Sequence, residues 1–235
     1  MRLVTRESVE RYLATDPVAA LGDALAQPDD RQLTCQKWLD QSAPKRMVFE
    51  WLYGDLLRAN RMLRVLDVGG GLTSFTRELA RRHDYVLLDF LAHDTEATVG
   101  LFRSSLEGGR LQRMDWFDYH PSAPFDAVIA NDLFPNVDQR LTLFLERFLD
   151  YAREIRMSLT YYDSPRFYRA RRIDADEQLC MLAWDGQQTR TALESFRERI
   201  CNPDMELFTA QNESVYPNGR QVCLVRLTGR SQGAS

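Results

Sequence analysis

LRVLDVGGG, residues 63–71, joins a short apolar run to three consecutive glycines. Residues 63–68 are too few for a buried helix, and the glycines bound them. That pattern suits a parallel strand covered on both faces. The glycines let the backbone turn tightly and approach a ligand with no Cβ in the way. Leu72, Phe75 and Leu79 then recur at helical spacing. Strand, glycine turn and helix in this order predict the opening of a βαβ unit.

Working outward, the same alternation continues. YVLLDF (85–90), RLQRM (110–114), FDAVIAN (125–131) and EIRMSLTYY (154–162) read as further strands. Leu141, Phe144, Leu145, Phe148 and Leu149 form an amphipathic helical stripe, and a helix is expected over 187–200. ELFTA (206–210) and QVCLVRL (221–227) read as a hairpin around a turn that contains Pro217-Asn218-Gly219. The expected fold is α/β, a doubly wound, seven-stranded and mostly parallel sheet with an antiparallel C-terminal strand. Residues 1–60 read as helical, with Val9, Tyr12 and Leu13 on one face before Pro17, and a second helix from about Pro44 to Ala59. The chain thus divides into an N-terminal helical cap (1–60), a ligand-binding domain (61–229) and a flexible tail (230–235).

Composition narrows the partners. With 44% hydrophobic and 27% charged residues in 235 positions, the chain is globular, which excludes wholesale disorder. A net charge of −4 argues against broad nucleic-acid binding. Cys35, Cys180, Cys201 and Cys223 contain no CxxC pair, so neither a zinc nor a redox motif has support, and no metal is expected. Four thiols fit a reducing cytosol, and a cytoplasmic location is expected. With Glu7, Glu10, Asp16 and Asp23 in the first 25 residues no secretory leader is expected there, and no apolar run is long enough to span a membrane.

The candidate site lies at the carboxyl edge of the predicted sheet. Asp67 stands just before the glycines, and Asp89 ends the next strand, where a carboxylate can accept hydrogen bonds from both hydroxyls of a ribose. A dinucleotide loop wants Gly or Ala where Ser74 stands. An acid before the loop suits a ligand with positive charge, such as S-adenosylmethionine with its ammonium and sulfonium.

The stretch from about 61 to 163 resembles a class I S-adenosylmethionine-dependent methyltransferase. VLDVGGG (65–71) matches that family's D-x-G-x-G loop at Asp67, Gly69 and Gly71, with Gly70 between them; Thr73 departs from the third glycine position. The resemblance implies a ribose role for Asp89, followed by Phe90. In MDWFDY (114–119) it implies an adenine contact for Asp115, with Trp116 flanking the ring, although Asp115 also reads as an ordinary loop carboxylate and Trp116 as core. FDAVIANDLFPNV (125–137) resembles the fourth strand and loop that border the sulfonium and the substrate, which brings in Asn131 and Asp132.

Methyl transfer to a small-molecule acceptor needs mainly alignment. A hydroxyl acceptor also needs a nearby base. Asp132 is the first candidate for base or orienting group, followed by Tyr161 and Asp163 at the tip of the fifth strand, with His93 as a candidate proton acceptor. His83 and His120 read as structural or exposed. SPRFYRARRIDADE (164–177) reads as a loop with two alternatives. Either Arg166 and Arg169, with Tyr162, bind a substrate anion, pointing to a sugar or phosphate-bearing metabolite, or the arginines are solvated and paired to Asp174, Asp176 and Glu177. The rival functions are a non-catalytic methyltransferase-like scaffold subunit and an NAD(P)-dependent oxidoreductase.

Overall fold

The computed structural model describes residues 1–106, 108–171, 178–210 and 212–229. The tail 230–235 and the acids Asp174, Asp176 and Glu177 lie outside the described residues.

The N-terminal sixty residues begin with a strand and continue as helices. β1 (Arg2–Leu3) is followed by α1 (Arg6–Leu13), α2 (Pro17–Leu25), α3 (Thr34–Asp40) and α4 (Ala43–Leu57). Pro17 does not end helical structure here. It occupies the first turn of α2, where its missing N–H costs nothing, and Asp16 caps that helix. Arg46 of α4 grips the Asp16 carboxylate through Nε and Nη2 at 3.0 and 2.8 Å, which ties α2 to α4.

The main sheet then follows the expected alternation: β2 (Arg64–Val68), α5 (Ser74–Arg82), β3 (Asp84–Leu88), α6 (Glu96–Ser104), β4 (Arg110–Gln112), β5 (Phe125–Ala130), α7 (Leu141–Phe148) and β6 (Ala152–Tyr161). The chain continues through β7 (Arg166–Arg171), β8 (Gln178–Ala183) and α8 (Gly186–Glu194) to β9 (Gln221–Thr228). The seven-stranded sheet has the order β1-β9-β6-β5-β2-β3-β4. β6, β5, β2, β3 and β4 pair in parallel, and β9 runs antiparallel to both of its neighbours. Its central strands are buried on both faces. Leu66, Val68, Phe144 and Phe148 share one core, and Val65, Leu52, Phe75 and Leu87 share the other.

Three sequence expectations are corrected. ELFTA is not a strand: Met205–Phe208 forms a 3-10 turn, and the partners of β9 are β6 and β1. The edge beside β9 is taken instead by β1, paired as Arg2↔Leu224 and Leu3↔Cys223. The N-terminal ammonium donates to the carbonyls of Cys201 and Asn202 and holds it there. Phe208, freed from pairing, packs edge-on against Tyr161. The segment after residue 163 is not a plain loop, since β7 and β8 form their own antiparallel pair. The helix expected over 187–200 stops at Glu194, and a separate 3-10 turn covers Arg197–Arg199.

Candidate active site

β2 leads into the glycine loop, and the loop's shape depends on those glycines. Gly69 and Gly71 have φ of 72° and 68°, left-handed values that side chains disfavour. A Cβ on Gly70 would run into the Asp67 carboxylate. That carboxylate cannot swing away, because it accepts hydrogen bonds from Tyr53 Oη at 2.9 Å and Tyr85 Oη at 2.6 Å. Asp67 is buried behind the loop, and burial pushes its carboxyl up to about 7. It braces the loop from behind and does not line the cavity.

Thr73 departs from glycine for a local reason: it is the N-cap of α5. Its Oγ1 accepts from the Thr76 N–H at 3.2 Å, and Thr76 Oγ1 accepts from the Thr73 N–H at 3.0 Å. The next amide is also taken, since Ser74 N–H donates to Gln36 Oε1 of α3 at 2.9 Å. A pyrophosphate needs those N-terminal amides, so the oxidoreductase reading loses its anchor.

Asp89 follows β3 and is held by backbone. Its Oδ2 accepts from the Gly71 N–H at 3.0 Å and its Oδ1 from the Leu91 N–H at 2.7 Å. Loop and carboxylate together form one wall of a cavity of about 660 Å³ at the carboxyl edge of the parallel strands. That size suits a small-molecule site. Phe90, Asp115, Trp116, Asn131 and Asp132 also line it, as do Gly69 and Gly70. Asp115 Oδ2 accepts from Arg140 Nη2 at 2.9 Å. Trp116 is buried, edge-on to Phe144, with its Nε1 donating to Asp138 at 2.8 Å and the Arg140 guanidinium 4.6 Å from its ring centroid. It is therefore both core and cavity wall.

No protein-family profile and no curated protein sequence matches the chain. Solved structures do. A Burkholderia thailandensis 1,6-didemethyltoxoflavin N1-methyltransferase, bound to 1,6-didemethyltoxoflavin and S-adenosylhomocysteine, aligns over 98% of this chain and 93% of its own at 16% identity and a TM-score of 0.54. DhpI in complex with SAH aligns over 96% and 97% at 20% identity and a TM-score of 0.53. Of a coclaurine N-methyltransferase structure the chain covers only 52%, from 68% of its own length, at 13% identity and a TM-score of 0.47. The chain has the class I methyltransferase fold.

In this methyltransferase fold the far end of the cavity is made of side chains from distant segments. Asp132 follows β5 with φ 54°, and its N–H donates to Ser158 Oγ at 2.8 Å, which in turn donates to Asn131 Oδ1 at 2.8 Å. Thr160 Oγ1 donates to Asp132 Oδ1 at 2.9 Å, and Arg220 Nη1 donates to its Oδ2 at 3.0 Å. Burial alone would raise the Asp132 carboxyl; the Arg220 and Lys45 charges, with these hydrogen bonds, outweigh it and hold it below the usual carboxylate range. Lys45 of α4 also lines the cavity, its ammonium 4.9 Å from the Trp38 ring centroid. Burial pushes that ammonium down. Tyr216 stacks under Arg220 at 4.0 Å.

The remaining predicted residues are elsewhere. Tyr161 is buried, donating to the Leu207 carbonyl at 3.2 Å. Tyr162 shares a 3.1 Å hydrogen bond with Tyr168, and Asp163 is exposed. Arg166 lies 4.0 Å over the Tyr162 ring and donates to the Asn218 carbonyl at 3.0 Å, while Arg169 is exposed on β7. None of these five lines the cavity. Sequence reasoning passed over Lys45, Trp38 and Arg220. Arg220 did carry a signal: it immediately precedes an antiparallel strand, whose start must lie at the carboxyl ends of the parallel ones. Lys45 carried none beyond being one of two lysines among thirty basic residues.

Proposed function

We propose that this chain is an S-adenosylmethionine-dependent methyltransferase acting on a small-molecule acceptor. The supporting observation is Asp89, oriented at the strand tip by the Gly71 and Leu91 amides beside a loop whose backbone borders the cavity. A carboxylate held at a strand tip beside such a loop is placed to accept from a ribose diol. Gly69 and Gly70 offer backbone where a side chain would fill the space. Asp115 is assigned to the adenine amino group, with Phe90 and Trp116 flanking the ring and Asn131 closing the cavity beyond it. Asp67 contributes by bracing the loop.

When bound, S-adenosylmethionine supplies a methyl group already activated by its sulfonium. The chain's task is then to hold an acceptor in line and keep water out. Asp132 is ionised and engaged by Arg220, which makes it an orienting group and a poor base. His93 lines the same cavity and is the candidate acceptor of a proton from a hydroxyl nucleophile. Tyr161, Tyr162, Asp163, Arg166 and Arg169 have no part in this reading. We also take residues 1–60 as the cap of the 61–229 domain, since α3 and α4 supply one wall of the cavity. The four free thiols fit a cytoplasmic enzyme. Among the finer acceptor classes, a sugar loses the support of the β7 arginines.

Calorimetry with S-adenosylhomocysteine and NAD⁺, followed by a mass-spectrometric screen of acceptors with labelled S-adenosylmethionine, tests the reading. Tight binding of the first ligand, none of the second, and label transfer to a small molecule are expected. Preference for NAD⁺ overturns it, and binding without turnover of any acceptor favours the scaffold.

A further inference from the structure

Lys45 is the unmatched charge of the cavity. It sits in the first turn of α4, after Pro44, and runs beside Trp38 toward the interior. Among the described residues no carboxylate pairs with its ammonium, and its recorded neighbours in charge are Asp132 and Arg220 on the facing elements, with Cys35 on α3. Asp132 is already engaged by Arg220 and Thr160. Two cations therefore face one carboxylate, an excess of one positive charge at this end. The Arg220 guanidinium, with five N–H groups in all, donates to Asp132 through Nη1 and lies over the Tyr216 ring.

A partly desolvated cation with no carboxylate paired to it is costly, and a partner of opposite charge relieves that cost. A neutral acceptor would leave the excess in place, whereas an anion would cancel it. The walls at this end are the rings of Trp38, Phe49 and Tyr216, which suit a flat body behind the charged group. Resting on the methyltransferase reading of the cavity, we propose that the acceptor is a small, planar organic oxyanion whose charged group seats against Lys45 and the Arg220 guanidinium. The anion site lies inside the cavity and not on the exposed arginines of β7.

The test is calorimetry on the full chain, alone and saturated with S-adenosylhomocysteine, using matched probes: benzoate and phenylphosphonate against benzamide and benzyl alcohol. The anions should bind about tenfold tighter than their neutral partners, the scale of one charge-assisted bond. Lys45→Met should abolish that preference, Lys45→Arg should keep most of it, and both should bind S-adenosylhomocysteine as the parent does. Thermal melting of each variant checks folding, and Lys45→Gln serves if Met destabilises the chain. Equal or reversed preference, no anion binding at millimolar concentration, or a preference that survives Lys45→Met overturns the proposal. Loss of S-adenosylhomocysteine binding by the parent chain overturns the methyltransferase reading instead, and the anion preference of the chain alone still decides this one. Carboxylate against phosphonate affinity distinguishes the two sources of the oxyanion.

Discussion

One end of the cavity is built around the glycine loop and the Asp89 carboxylate, both supplied by residues 67–91. The other end is built around the side chains of Lys45, Asp132 and Arg220, from three segments of the chain. The first end is rigid because backbone hydrogen bonds set it: the Gly71 and Leu91 amides aim Asp89, and the capped start of α5 holds the loop. The second end is electrostatic, and its geometry depends on α4, β5 and β9 all being docked. A fold that preserves the first end and varies the second can keep one cofactor and change acceptors.

The strongest way to break this contrast is Gly69→Val. A β-branched residue at φ 72° is a genuine outlier, and its side chain would press on Leu133, which lines the cavity with it. S-adenosylhomocysteine binding should vanish while the circular dichroism spectrum stays like the parent's; persistent binding would mean the loop is only a turn. Asp89→Ala comes next. Hydrogen bonds to a charged acceptor contribute about 1.5–3 kcal/mol each, so affinity should fall about tenfold or more, as read by calorimetry. Unchanged affinity would remove Asp89 from the ribose role.

Asp67 gives a smaller effect, seen in stability. Burial penalises its charge and pushes the folded carboxyl up from the ordinary carboxylate range to about 7. The folded chain therefore keeps a proton that the unfolded chain releases. Stability from this group is full below the unfolded value and is lost as pH rises toward 7. Relative to the parent, Asp67→Asn should gain stability as pH climbs from about 4 to about 7, measured as the difference in urea midpoint. A constant difference across that range refutes the buried titration. The smallest effect is expected for the double replacement of Arg166 and Arg169 by Gln. Exposed interactions contribute about 0–1 kcal/mol, so acceptor KM should move less than about fivefold. A larger rise would shift the anion from Lys45 to the β7–β8 pair.

Much of the fold was legible because its signals are local. A short apolar run closed by glycine marks β2, short apolar runs that end at Asp89 and Asn131 mark β3 and β5, and the i, i+3, i+4 spacing marks α7. The edge strand was not legible in the same way. ELFTA has strand composition, yet two residues at the opposite end of the chain, Arg2 and Leu3, occupy the place beside β9. Competition between segments for one edge leaves no mark within either segment. The Tyr161–Arg169 stretch differs for a related reason: a charged, aromatic segment after a strand tip reads as cavity lining, but Tyr161 packs against Phe208 and β7 pairs with β8 outside the main sheet.

By itself the sequence determined the strand–loop–helix that begins the sheet, the acid at the tip of β3, and the left-handed turns that only glycine enters readily. Each depends on residues a few positions apart, where backbone sterics and periodicity act directly. Tertiary structure alone decided which way the Asp67 carboxylate faces, which segment closes the sheet edge, and that Arg220 meets Asp132 across 88 positions of chain. The physical reason is that a side chain's partner depends on how the layers dock, and docking is a property of the whole sheet.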